Sequence, residues 1–156
     1  MWWCWWTLRC ALWINIDHHV SNDRIGDLVL VDSHAPAAAQ VLFDLFEHCS
    51  LPITPAMAQA LYAGISTDTG SFQYSSTTDR TYEIAAKLVR HGVDTGAINT
   101  ELYQRSPRRR LELKRELLNV LRFSADDRVA SFALSLHTAL RLGTIPDDTE
   151  GLIDTL

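Results

Sequence analysis

The sequence has no surplus of positive charge, few cysteines and no apolar run long enough to cross a bilayer, and each shortage removes a class of protein. Fourteen Lys and Arg stand against nineteen Asp and Glu, so the broad basic field by which proteins hold nucleic acid through its phosphates is missing. Any phosphate chemistry must be local. Three cysteines make no disulfide framework and fit a reduced, cytoplasmic setting. The longest apolar run, Met1 to Trp13, is broken by Arg9, lacks a basic leading region and is shorter than the roughly 20 residues a bilayer span needs. No membrane segment is expected. What is present, 156 residues of which 47% are hydrophobic, suffices for one ordinary core and part of a second.

Tryptophan is absent after Trp13, whereas Trp2, Trp3, Trp5, Trp6 and Trp13 crowd the start together with Cys4 and Cys10. Large rings on both faces suit neither the alternation nor the packing of a strand. Met and Trp have one codon each, so Met1 to Trp6 nearly fixes its nucleotides. Skipping two bases turns the segment into Val-Val-Val-Leu-Val followed by Asp, the pattern of a buried parallel strand that delivers a carboxylate to its edge. Residues 1–13 therefore read either as a core strand in the wrong frame or as a coincidence of a GC-rich gene, which the nucleotide sequence distinguishes.

Further on, the apolar residues from Leu12 lead into Asp17-His18-His19, and Leu28-Val29-Leu30-Val31 stops at Asp32. Both read as short buried strands ending at an acidic edge. Apolar stripes at helical spacing follow over Ala37 to Cys49, Pro55 to about Thr67, and Asp79 to Arg90. Ser33 or Pro36 is expected to start the first, Thr54-Pro55 the second, and Thr77 or Thr78 the third, which Gly92 ends. Asp94 to Tyr103 is a further short helix, and Pro107 opens a long one. After it, Arg122-Phe123-Ser124, a turn at Ala125-Asp126-Asp127 and an alternating Val129 to Leu136 read as a hairpin. Strand, strand, then helices is the rhythm of an α/β domain with parallel strands.

Two clusters carry chemistry. Asp17-His18-His19 follows a strand, where open α/β sheets place ligands, and imidazole beside carboxylate suits a divalent ion. Taken in isolation, adjacent histidines at a strand end read more readily as surface residues or helix-starting polar groups. Gly64-Ile65-Ser66-Thr67-Asp68-Thr69-Gly70-Ser71-Phe72 ends a helix in a carboxylate followed by hydroxyl residues and glycine. Gly70 permits backbone geometry that a Cβ forbids, and Asp68 can complete a metal shell begun by His18. An Asx-type turn is its alternative. His34 and His48 read as helix-flank residues, Cys49 as a core thiol, and Arg108-Arg109-Arg110, with Glu112 and Glu116 nearby, as a solvated ion-paired face.

Taken together, the stretches Asn15 to Asn22, Val31 to Ala39 and Leu61 to Tyr74 resemble the DHH phosphoesterases, most closely the bacterial oligoribonuclease/3′,5′-bisphosphate nucleotidase (pAp phosphatase) group, and Thr149-Glu150-Gly151-Leu152 resembles the approach to that group's second domain. The resemblance implies an α/β fold: the C-terminal part of a parallel-sheet DHH catalytic domain over 14–105, a linker helix over 106–121, and the start of a DHHA1-like domain over 122–156. It implies two divalent ions, usually Mn²⁺, that activate water against a phosphoester. In that scheme His18 and Asp68 are metal ligands, His19 faces the substrate phosphate and Asp17 supports the histidines, these last two being the catalytic pair. Substrates are then short RNA oligonucleotides or nucleotide phosphates such as pAp, and a homodimer is compatible. No substrate-binding residue is identified.

The family's first two acidic motifs should precede Asp17, yet the residues upstream contain no Asp, Glu or His, and its glycine-histidine substrate motif is not found. A parent enzyme truncated at both ends is the expectation, with the chain alone inactive. The alternatives are an inactive fragment or pseudoenzyme, or a DHH enzyme acting on another substrate, by cyclic-dinucleotide cleavage or single-strand exonuclease action.

Overall fold

The computed structural model describes residues 12–149 and 151–153; most of the tryptophan-rich start, with its alternative frame, lies outside them. The chain divides into two compact units after Leu102. The first opens with β1 (Ile14–Asp17) and β2 (Leu28–Val31), paired in parallel with Asp17 opposite Val31. Three helices follow, α1 (Ala38–His48), α2 (Pro55–Asp68) and α3 (Asp79–Arg90), then the short α4 (Thr95–Asn99), which runs into a π-helical turn at Thr100–Gln104. This is the expected α/β architecture.

Helix starts follow side-chain chemistry where it is available. Thr54 accepts from the Met57 N–H, with Pro55 in the first turn, and Thr78 and Thr81 form a reciprocal capping box, each satisfying amides that a helix start leaves without partners. α1 begins later than either expected start, with Ala37 at its N-cap and no side-chain cap. The reason is that Asp32 closes a turn over Ser33 to Ala35: its carboxylate accepts from the His34 N–H at 2.9 Å and its carbonyl from the Ala35 N–H at 3.2 Å.

The core lies among the helices. Phe43, Ile65, Ile84 and Leu88 are buried together with Ala58, Leu61 and Tyr62. Within it, the Thr81 hydroxyl donates to Gln40 Oε1 at 3.0 Å, so the buried amide oxygen is partnered. On the outer side Arg80 joins α3 to α1 through Asp44 at 2.5 Å and Glu47 at 2.8 Å, while Lys87 also pairs with Glu47.

Three expectations need correction. The two strands and their acidic ends are as read, but Ile14, Leu28, Val29 and Leu30 are exposed. A parallel strand is buried only where elements cover both faces; α1 packs on β1, and β2 lies outside it. Cys49 is exposed, not in the core, because it is the C-cap of α1 and the chain turns there through Ser50 at φ 53°. Finally, the alternation of Val129 to Leu136 does not make a long strand. In the second unit α5 (Arg108–Val120) is followed by a hairpin of only β3 (Arg122–Phe123) and β4 (Ala130–Ser131), after which Ser135 caps α6 (Leu136–Leu142) by accepting from the Thr138 N–H. That cap overrides the period-two pattern.

The second unit's core is Leu113, Leu117 and Leu152, with Phe132, Leu134 and Leu142 against it. Along α5, Arg108 lies 3.7 Å from Glu112, the kind of pairing expected of the basic run, whereas Arg109 turns instead to the buried Asp148 at 2.7 Å. Among the described residues no helix is long and apolar enough to cross a membrane. Ile84, with no exposed surface, sets the scale of helix packing: Ile84→Ala should destabilise the first unit by about 3 kcal/mol, read as a lower urea midpoint, whereas Tyr82→Phe on the exposed side should change it little.

Candidate metal centre

Strand pairing assembles the site. The parallel register places the ends of β1 and β2 side by side, and the Asp32 N–H donates to the Asp17 carbonyl at 3.1 Å. The turn that Asp32 closes then presents the Ala35 carbonyl to His18 Nδ1 at 3.2 Å. A carbonyl can only accept, so Nδ1 carries the proton and a neutral His18 ring turns the lone pair of Nε2 outward. That Nε2 lies 3.5 Å from Asp68 Oδ2. Two electron-rich atoms facing each other at this distance are stabilised by a proton or a cation between them.

Asp17 is engaged differently. Its Oδ1 accepts from the backbone N–H of His18 at 2.7 Å, from that of His19 at 3.2 Å, and from His19 Nδ1 at 2.7 Å, while Oδ2 accepts from Asn22 Nδ2 at 2.6 Å. Donation by Asn22, then by His19, holds the Asp17 carboxyl well below the usual carboxylate range. Asn22 is itself fixed by a reciprocal amide pair with Asn15, 3.1 Å in each direction. With Nδ1 committed to Asp17, His19 presents Nε2 on a side chain that is 66% exposed. Ligand atoms of Asp17, His18 and His19 lie within 4.8 Å of one another.

Asp68 is the last residue of α2, and the helix ends in a Schellman motif: the Gly70 N–H donates to the Thr67 carbonyl at 3.2 Å and the Ser71 N–H to the Ser66 carbonyl at 2.7 Å. Gly70, at φ 56°, occupies the left-handed position this motif requires, and a Cβ there would lie 2.5 Å from the Tyr74 ring.

All four residues singled out from sequence thus meet at one edge: His18 and Asp68 facing each other, Asp17 holding His19 and the loop. The donor chemistry suits a divalent ion, since His18 is oriented by a hydrogen bond from its other nitrogen and Asp68 keeps an oxygen directed at it. Sequence reasoning assigned no role to Asn15, Asn22 or the Ala35 carbonyl. Only Asn15 carried a usable signal, standing two residues before Asp17 and so on the same face of β1.

An α/β unit with a His/Asp cluster at its strand ends is the class of protein so defined. No family model matches the chain. The bifunctional oligoribonuclease and PAP phosphatase NrnA of Thermus thermophilus is 38% identical to it over 94 residues, 60% of this chain and 29% of that protein. The protein of the same name from Bacillus subtilis is 28% identical over 151 residues, 92% of this chain and 46% of the relative. Among solved structures, an exopolyphosphatase-related protein from Bacteroides fragilis has a TM-score of 0.80 at 26% identity, covering 90% of this chain and 42% of that one. The chain is thus similar to proteins named bifunctional oligoribonuclease and PAP phosphatase, the group its motifs resemble, and spans less than half the length of these relatives.

The carboxylate network gives a direct test. Asn22→Ala removes the largest contributor to the low Asp17 pKa, so that pKa should rise towards the ordinary aspartate value of about 3.9, followed by carboxyl-carbon NMR during an acid titration. An unchanged Asp17 titration would remove Asn22 from the network.

Proposed function

We propose that this chain carries part of the centre of a metal-dependent phosphoesterase which, in the complete parent protein, hydrolyses short oligoribonucleotides and pAp in the cytoplasm. The observation that carries this reading is the 3.5 Å approach of His18 Nε2 to Asp68 Oδ2, with the Nδ1 proton of His18 already committed. His18 and Asp68 would hold a divalent ion, Mn²⁺ in our reading, whose chemistry is to activate water and neutralise phosphate oxygens. Ala35 fixes the tautomer of His18, Asp17 fixes the ring of His19, and the exposed Nε2 of His19 is free to meet a substrate phosphate. The names of the relatives support the substrates.

A second reading has its own observation. Among the described residues, Asp17, His18 and His19 form the only group of three or more such side chains with converging ligand atoms, whereas a two-metal centre draws on several carboxylates to balance its charge. On that reading the chain alone binds one ion and does not turn over.

Titration of Mn²⁺ into the chain, His18→Ala and Asp68→Asn tests the first step. Both variants should lose most of the binding, and unchanged binding in both would overturn the ligand roles. Hydrolysis of pAp and of a 5′-phosphorylated RNA dinucleotide in Mn²⁺ then separates the readings. His18-dependent turnover means that the residues present suffice for catalysis; a folded, Mn²⁺-loaded chain without turnover is the binding fragment.

A further inference from the structure

The backbone after Asp68 is unusual beyond its glycine. Gly70, Ser71 and Phe72 have φ of 56°, 58° and 65° in succession, so the left-handed conformation that the Schellman motif needs once is continued through two residues bearing side chains. For L-residues it is disfavoured at every step by the Cβ. Such a run persists only where its surroundings over-determine it.

The surroundings here converge on Phe72. Its N–H donates to the buried Thr69 hydroxyl at 3.0 Å, and that hydroxyl in turn donates to the Ile65 carbonyl at 2.6 Å inside α2. The Phe72 ring stands 5.6 Å from the Tyr82 ring, nearly parallel to it at 24°, and 5.7 Å from the Tyr62 ring. Tyr82 Oη donates to the Phe72 carbonyl at 3.3 Å. Tyr62 is buried in the core on α2, and Tyr82 lies on α3. The two helices therefore hold the far end of the strained turn, while its near end is Asp68.

We propose that Phe72 is a positioning residue: anchored by Tyr62 and Tyr82, it holds the left-handed turn 70–72 closed and so fixes the direction in which the Asp68 carboxylate faces His18. The proposal rests on the reading of Asp68 as a ligand. Without the ring, the strain at Ser71 and Phe72 is relieved by unwinding. The Schellman bonds to Ser66 and Thr67 loosen with it, and the last residue of α2 loses its fixed direction. A partly exposed ring whose purpose was only to cover the core would have no such effect on a carboxylate four residues away.

Mn²⁺ binding, by titration calorimetry on the full chain with far-UV circular dichroism to confirm folding, is the readout. Phe72→Ala leaves a Cβ to disfavour the left-handed conformation and removes the anchor that holds it; its Mn²⁺ affinity should fall roughly tenfold, the lower end of what loss of a ligand-orienting partner costs. Phe72→Tyr, which retains the ring, should bind as the parent does. Should Phe72→Ala not fold, Tyr82→Ala, at a position 56% exposed, strips one ring from Phe72 and should show the same direction of change. Parental affinity in whichever of these folds, alongside lost binding in Asp68→Asn, overturns the positioning role and leaves the ligand assignment standing. Parental affinity in Asp68→Asn would mean that the ligand assignment itself is wrong, and the proposal falls with it.

Discussion

The hydrogen bond from His18 Nδ1 to the Ala35 carbonyl, 3.2 Å long, is the constraint on which the candidate centre depends. It gives Nδ1 a carbonyl to donate to and leaves Nε2 as the nitrogen that faces Asp68. The bond exists because β1 and β2 are parallel and in one register, with Asp17 opposite Val31, so that the loops leaving both strands share an edge. A slip by one residue would turn Asn15 and Asp17 towards the side on which Ile14 and Ile16 now lie. The polar network of Asn15, Asp17 and Asn22 belongs to the same constraint, since it uses the face of β1 that the apolar residues leave free.

Charge is distributed to match. At the outer side of the helices, cations and anions meet in equal company: Arg80 and Lys87 neutralise Asp44 and Glu47, and Lys87, then Arg80, lower the Glu47 pKa. At the strand edge the carboxylates of Asp17 and Asp68 meet histidines and amides instead, and no Lys or Arg pairs with them among the described residues. A surface salt bridge fixes little and is screened, whereas an imidazole nitrogen and a carboxylate oxygen that face each other can share a proton or a cation. The ion pairs thus lie between α1 and α3, whereas the carboxylates of the strand edge and of the end of α2 have no cationic side chain of Lys or Arg beside them among the described residues.

Much of this was legible in the sequence because the signals were local. Thr54-Pro55 and Thr78 start their helices through their own side chains, and the acids at the ends of both strands could be read from an apolar run followed by Asp. That His18 and Asp68 belong together was carried by resemblance of motifs, not by spacing. What could not be read was set by contacts distant in sequence or by competition between local patterns. The alternation after Val129 yielded to the cap at Ser135, and the exposure of Leu28, Val29 and Leu30 depends on what covers a sheet, about which a strand's own residues say nothing. The Ala35 carbonyl was invisible because any residue supplies a carbonyl. Three consecutive positive φ values were equally hidden, since only Gly70 advertises one.

Behind Asp68, the helices that carry the site's surroundings pack closely. Asp68 lies one turn beyond Gly64 on α2, and a Cβ built at Gly64 would lie 3.0 Å from Ala39 Cβ on α1, a distance at which one of the two helices must give. Ala39, in the first turn of α1, lies four residues after Ala35, whose carbonyl faces His18 Nδ1. Gly64 and Ala39 thus mark one close point in the packing of α1 on α2, between the turn that leads into α1 and the carboxylate at the end of α2. Cores are close-packed and transmit a shift of a few tenths of an ångström without absorbing it. A glycine that looks like a helix-weakening residue in the middle of α2 is, by this geometry, what lets α1 and α2 pack this closely.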